Sequence, residues 1–181
     1  MGDALKFSDL QNINFLRFEA ESSIKRLQNE YGIDAPKSVI EQFYIDHSDK
    51  FQFQELYGAI DLNSIEWQLV EIPTSKMLNL GRSATHPDFI LEVSEDASHY
   101  DEIGDSAIDC RENVLEHWKQ HGTWITPPIF IKGEVLGKPE IDLHLVEGHT
   151  RVGCLCGLTN YQVIEVAKVH KVYLGKLKSV N

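Results

Sequence analysis

The sequence predicts an α+β fold: a small mixed sheet with packed helices and a helical region in front of it. Three observations predict it. Apolar residues recur at helical spacing through the first sixty positions, strand-like apolar runs begin at Trp67, and one such run passes through Gly148 into a further helix. We therefore expect an N-terminal helical region over residues 1–62 and an α/β domain over residues 63–181.

The N-terminal region contains signals for two helices. Residues 6–31 show apolar positions at helical spacing, with Ser8 and Gln11 as a capping box and Gly32 as the stop. A second helix is predicted from Pro36 in its first turn to Tyr44. Both helices are expected to pack by their apolar faces.

The α/β domain begins with a strand over residues 67–72, which Pro73 ends. The apolar run 89–93 is predicted as a second strand, and a helix over 111–121 is predicted to end at Gly122. The remaining predicted elements are hairpin strands over 129–131 and 141–146, a helix over 149–157 and a last strand over 162–174.

Composition excludes several classes of protein. The chain has 181 residues with 17 basic and 28 acidic side chains, a net charge of −11. This balance repels phosphate backbones, so direct DNA binding is not expected. No apolar run approaches the ~18–20 residues of a membrane span. The start of the chain lacks a signal-peptide pattern and the cysteine count of three is odd, so we expect a cytoplasmic protein without disulfides.

The segment from Glu147 to Arg151 carries the clearest chemical signal. A strand leads into Gly148, which tolerates a positive φ, and a helix then begins with its unpaired amides and positive dipole end. With the guanidinium of Arg151 in the first turn, this arrangement predicts a cradle for a phosphate or carboxylate group. The alternative is that Arg151 pairs with a surface carboxylate and His149 caps the helix.

The pattern around this segment resembles the ParB/sulfiredoxin-like superfamily. The resemblance rests on Pro128-Ile129 with its hairpin partner, the run Leu-Val-Glu-Gly-His-Thr-Arg over residues 145–151, and a small-residue helix ending at Gly157-Leu158. The strand 69–73 and the loop 79–82 also fit. The match covers residues 67–176.

The resemblance implies a nucleotide- or phosphate-binding protein, with ATP, ADP or CTP and Mg²⁺ as candidate ligands and phosphoryl transfer or nucleotide hydrolysis as the candidate reaction. It implies that Gly148 and Arg151 contact phosphate, with the other ligand-binding candidates being His149, Thr150 and Arg82. Glu147 and His149 are the candidate catalytic residues. His149 replaces the catalytic cysteine of sulfiredoxins, which argues against sulfinic-acid reduction. Whether the chain is an enzyme is left open.

A metal site is not expected, although several ligand-type side chains lie close together in the sequence: His144, His149, Cys154, Cys156 and His170. Cys154 and Cys156 are two positions apart on a predicted helix and point about 200° apart, so one zinc ion would not reach both.

The alternative function belongs to another class. The acidic cluster from Glu95 to Asp109 and the net charge suggest an immunity- or antitoxin-type protein that binds and blocks a basic partner. A second copy of the chain, in a homodimer, is a further candidate partner.

Overall fold

The structure is a computed structural model that describes residues 4–15, 20–108 and 110–179. It confirms the α+β class. The α-helices of the described residues are α1 (Ala20–Glu30), α2 (Lys37–Val39), α3 (Phe51–Tyr57), α4 (Thr74–Leu78), α5 (Pro87–Asp96), α6 (Tyr100–Ile103), α7 (Glu112–His121) and α8 (His149–Asn160). The strands are β1 (Ile65–Pro73), β2 (Ile129–Ile131), β3 (His144–Glu147) and β4 (Val169–Leu177). Between these lie a π-helix (Ile40–Ile45) and 3-10 helices at Phe7–Asn12, Leu62–Ser64, Ala97–His99, Gly104–Ala107 and Gly133–Leu136.

The four strands form one mixed sheet in the order β1-β4-β2-β3. β2 pairs with β3 in antiparallel fashion, Ile131 opposite His144, which confirms the predicted hairpin. β2 also pairs in parallel with β4, Phe130 opposite Leu174. All three residues of β2 are completely buried, as expected of a strand with neighbours on both sides.

The chain divides into two compact units that do not follow sequence order. Unit 1 contains residues 1–68, 129–147 and 173–181, and unit 2 contains residues 69–128 and 148–172. The chain passes from unit 1 to unit 2 at the peptide bond between Glu147 and Gly148. The predicted division of the chain at residue 62 stays a prediction.

Unit 1 is built around a cluster of aromatic side chains. Phe43 is 1% exposed and its ring centroid lies 5.0 Å from that of Phe7, 5.0 Å from that of Tyr44 and 5.2 Å from that of Tyr57. These rings come from the first 3-10 helix, the π-helix and α3. The N-terminal helices therefore supply the aromatic side chains of this core, which also contains strand residues such as Ile129 and Val146.

Unit 2 is built around a close contact between α5 and α8. A Cβ placed on Gly153 would lie 2.7 Å from Cβ of Val93, and one placed on Gly157 would lie 2.8 Å from the carbonyl oxygen of Ser94. Real Cβ atoms do not approach so closely, and the two glycines are what allow the helices to pack at this distance. α8 is thereby fixed on a firm support.

The prediction of a strand at 89–93 was wrong, because this segment belongs to α5. Pro87 occupies the first helical turn, where the backbone amide that proline lacks would have no acceptor within the helix. The buried residues Ile90, Val93 and Ser94 are spaced three and one apart, so they form one helical face. Tertiary packing overrides the strand preference of the apolar run.

The predicted helix over residues 6–31 is interrupted. The 3-10 helix ends at Asn12 and α1 begins at Ala20, while residues 16–19 lie outside the described residues. The amides of Phe7 and Ser8 donate to the carbonyls of Ile60 and Gly58, which ties the start of this segment to the residues that follow α3. The capping box at Ser8 and Gln11 was also wrong, since the amide of Lys6 donates to the side chain of Asp9.

Other boundaries were predicted with variable accuracy. Gly32 and Gly122 have positive φ just beyond α1 and α7, which confirms both stops. β1 ends at Pro73 as predicted. α8 continues past Gly157, because that glycine serves helix packing and does not end the helix. β4 begins seven residues later than predicted, at Val169.

Candidate functional site

The turn that follows β3 requires a glycine for two reasons. Gly148 has φ +103°, a left-handed backbone conformation that residues other than glycine rarely adopt. A Cβ at this position would also lie 2.6 Å from Cβ of Pro128. The polypeptide therefore passes directly against Pro128 before α8 begins at His149.

The N-terminus of α8 is electropositive. The first hydrogen bond of the helix runs from the amide of Val152 to the carbonyl of Gly148 at 2.9 Å. The amides before Val152 have no acceptor within the helix, and no acidic residue lies in the first turn. The twelve residues of α8 align their peptide dipoles toward this end.

Arg151 lies across the glycine turn. Its Nη1 donates to the carbonyl oxygens of Thr126 at 2.9 Å and Pro127 at 3.3 Å. Its Nε lies 3.0 Å from the position that a Cβ on Gly148 would occupy. The guanidinium is therefore held beside the helix start by two main-chain carbonyls, with a fixed orientation and a full positive charge.

The side chain of His149 is buried and holds a neighbouring loop. Its Nε2 accepts a hydrogen bond from the amide of His86 at 3.1 Å, and the two imidazole rings meet edge to face at 5.1 Å. Since Nε2 accepts, it carries no proton. His149 therefore ties the loop before α5 to the start of α8, and this nitrogen is occupied by a structural contact.

The remaining predicted ligand residues of unit 2 lie in different surroundings. Thr150 is half-buried in the first turn of α8. Arg82 is exposed, and its Nη2 binds the carboxylate of Asp88 at 2.8 Å. An exposed pair of this kind contributes little to stability. The structure therefore groups Gly148, His149, Thr150 and Arg151 in one turn, while Arg82 pairs with Asp88.

Glu147, the other candidate catalytic residue, pairs with a histidine within unit 1. Its Oε2 lies 3.0 Å from Nε2 of His47, and the His47 ring stacks on Phe53 at a centroid distance of 3.8 Å. His47 Nδ1 is buried without a hydrogen-bond partner. A buried nitrogen without a partner carries a desolvation cost, so the Glu147 contact and the Phe53 stacking are what hold the ring in place.

Sequence reasoning missed two of these contacts. His47 and Glu147 are 100 residues apart, and His86 and His149 are 63 apart. The sequence holds no local signal for either pair, since both depend on tertiary packing.

Two further histidines are structural. In unit 1, Tyr57 Oη and His144 Nε2 lie 2.8 Å apart, and burial lowers the pKa of His144 to about 4. In unit 2, Thr123 Oγ1 and His170 Nδ1 lie 2.8 Å apart, and burial lowers the pKa of His170 to about 4. Both imidazoles are thus neutral at pH 7.

Two of the three cysteines lie on α8. Burial raises the pKa of Cys156 to about 11, so its thiol stays protonated at neutral pH. Cys154 is buried in α8, among the small residues of that helix. Within residues 4–15, 20–108 and 110–179, no three histidine, cysteine or acidic side chains are grouped to hold a metal ion.

Comparison with protein-family models, curated proteins and solved structures found no match. Across the described part of the chain, every helix is too short or too polar to cross a lipid bilayer.

Proposed function

We propose that the first turn of α8 binds a phosphate group, as the terminal phosphate of a nucleotide such as ATP, ADP or CTP with Mg²⁺, or of a small phosphorylated ligand. One observation carries the proposal: a fixed guanidinium, that of Arg151, lies against Gly148 at the amide end of a twelve-residue helix. The ParB/sulfiredoxin-like resemblance supports the choice of a nucleotide as the ligand.

The charge of the turn favours an anion over a neutral ligand. A helix N-terminus offers about half a positive charge, and Arg151 adds a whole one. Charge-assisted hydrogen bonds from a guanidinium are about twice as strong as neutral ones. The first turn contains no carboxylate that would compete for these donors.

The contact of His149 Nε2 with the His86 amide gives His149 a positioning role. It keeps the loop before α5 next to the turn that holds the phosphate.

The proposal is tested by thermal unfolding with inorganic phosphate, ADP, ATP and CTP, each with and without Mg²⁺. A ligand at 100 times its Kd stabilises the folded state by about 2.7 kcal/mol. For a chain of this size that corresponds to a rise in Tm of about 5–10 °C. Arg151→Met keeps the aliphatic stem and removes the charge, so it should lose most of this rise relative to its own unliganded Tm.

Arg26→Met is the matched control, since Arg26 is a half-buried arginine of α1 in unit 1 that pairs with Glu30. It removes the same charge and should keep the full ligand-induced rise. The proposal is rejected if none of the ligands raises the Tm, or if Arg151→Met responds as strongly as Arg26→Met.

A further inference from the structure

Unit 2 contains a groove that the proposed phosphate site does not use. Its volume is about 880 Å³, and residues between positions 96 and 119 line it. The walls come from the turns around α6 on one side and from α7 on the other. This volume lies at the upper end of the range of ligand-binding clefts, about 300–1,000 Å³.

The groove has an apolar floor. Ala107, Ile108 and Leu115 line it and are 4–6% exposed, so they form part of the core of unit 2. Ile103 stands at the end of α6 with 57% of its surface exposed, although it also lines the groove. Ile103 is therefore the apolar lining side chain that an apolar group of a ligand can contact most fully.

The rim of the groove is strongly acidic. Residues 95–119 contain eight acidic and two basic side chains, so this segment holds −6 of the net charge of −11. Asp96, Glu112 and Glu116 line the groove and are exposed. The basic lining residue Lys119 is paired with Asp105.

The two walls are joined to each other. Lys119 of α7 donates to both oxygens of Asp105, at 2.6 and 2.7 Å, and the hydroxyl of Tyr100 donates to Asp105 at 3.1 Å. The hydrogen bond from Lys119 lowers the pKa of Asp105 and raises that of Lys119, so the pair is charged at neutral pH. This exposed pair links α7 to the 3-10 helix Gly104–Ala107 and places both side chains at the groove, although it adds little to stability.

From these observations we propose that this groove binds a basic amphipathic α-helix of a partner protein. The apolar face of that helix packs on the exposed side chain of Ile103, above the floor of the groove, and its lysine and arginine side chains pair with Asp96, Glu112 and Glu116. Helix-in-groove recognition has this arrangement of apolar anchors and complementary rim charge. The surface is separate from the first turn of α8 and gives the protein a second binding function.

The test uses the full chain and three synthetic peptides of about 18 residues, labelled for fluorescence anisotropy. The first combines leucine at helical spacing with lysine elsewhere. The second has the same composition with leucine and lysine alternating, and the third replaces lysine with glutamate. The first peptide should bind at least tenfold more tightly than the second and third.

Two variants address the two parts of the groove. Glu112→Gln with Glu116→Gln removes rim charge, and Ile103→Ser removes the exposed anchor; each should weaken binding of the first peptide at least fivefold. The control Glu55→Gln with Glu140→Gln removes the same charge from exposed positions in unit 1 and should leave the affinity unchanged.

Three results would overturn the proposal. One is that the first peptide does not bind. The second is that Ile103→Ser binds as wild type, which would show attraction by net charge alone. The third is that the control pair loses as much affinity as the groove pair, with all variants checked for unchanged circular dichroism.

Discussion

Unit 1 and unit 2 hold themselves together by opposite means. In unit 1, large rings fill the interior, and Phe43 alone contacts four other aromatic side chains. In unit 2, the central contact between α5 and α8 depends on the missing side chains of Gly153 and Gly157. The first unit is therefore sensitive to lost volume and the second to added volume.

This difference bears on function, because the proposed phosphate-binding turn is the start of α8. A helix packed at glycine distance has little freedom to shift, so the turn at Gly148 and Arg151 keeps its geometry. A rigid scaffold that presents a polar turn is a common arrangement for binding sites.

The largest expected effect is in unit 1. Phe43→Ala should lower the free energy of unfolding by about 3–5 kcal/mol, because it leaves a cavity among rings that do not collapse easily. Urea denaturation measures it. Phe51→Ala, at a side chain that is 80% exposed, is the control and should change stability by less than about 0.5 kcal/mol.

Acidification should affect both units by a similar mechanism. His144 in unit 1 and His170 in unit 2 each have a pKa of about 4 when folded, against an ordinary value of 6.5. Folding therefore favours the neutral imidazole, and this contribution is complete above pH 6.5 and is lost as the pH falls toward 4. Each histidine should account for up to about 3 kcal/mol of that loss.

The measurement is the slope of unfolding free energy against pH between 4.5 and 6. His144→Asn and His170→Asn should each reduce the slope by up to about 1.4 kcal/mol per pH unit, one proton's worth. An unchanged slope in both variants would show that carboxylates alone cause the acid sensitivity.

The sensitivity of unit 2 to added volume is tested by Gly153→Ala. Alanine normally stabilises a helix interior by about 1 kcal/mol relative to glycine. Here the new Cβ would meet Val93, so the substitution should instead destabilise the protein by about 1–3 kcal/mol. The double variant Gly153→Ala with Val93→Ala should lose less unfolding free energy than the sum of the losses of the two single variants. Stabilisation by Gly153→Ala alone would contradict the close packing of α5 and α8.

The smallest expected effect concerns a single buried hydrogen bond in unit 1. Tyr57→Phe removes the hydroxyl that meets His144 Nε2 and keeps the ring, so it should cost about 1–2 kcal/mol. Tyr161→Phe, at a residue 46% exposed, should be nearly neutral in the same denaturation assay. Equal losses in the two variants would argue against the Tyr57–His144 bond.

The parts of the fold that could be predicted from the sequence have local causes. Pro73 ends β1, Gly122 ends α7 with a positive φ, and Gly148 lies between β3 and α8. Each of these boundaries follows from the backbone conformations and hydrogen bonds that are available to a single proline or glycine. α5 could not be predicted in this way, because its apolar run suits a strand until α8 provides a helical partner.

The same distinction applies to the candidate site. Gly148 and Arg151 are three positions apart, so a helix that begins between them places the two residues side by side. The sequence alone is enough to predict this arrangement. The partners of Glu147 and His149 come from His47 and His86, far away in the chain. Such pairs follow from tertiary packing, and the local pattern gives no indication of them.

The most direct test of the phosphate proposal is a titration of the ¹⁵N-labelled protein with ADP, followed by backbone amide chemical shifts. The account predicts that the largest shifts occur at residues 148–152 and are lost in Arg151→Met. Shifts confined to other parts of the chain, or none at millimolar ADP, would contradict it.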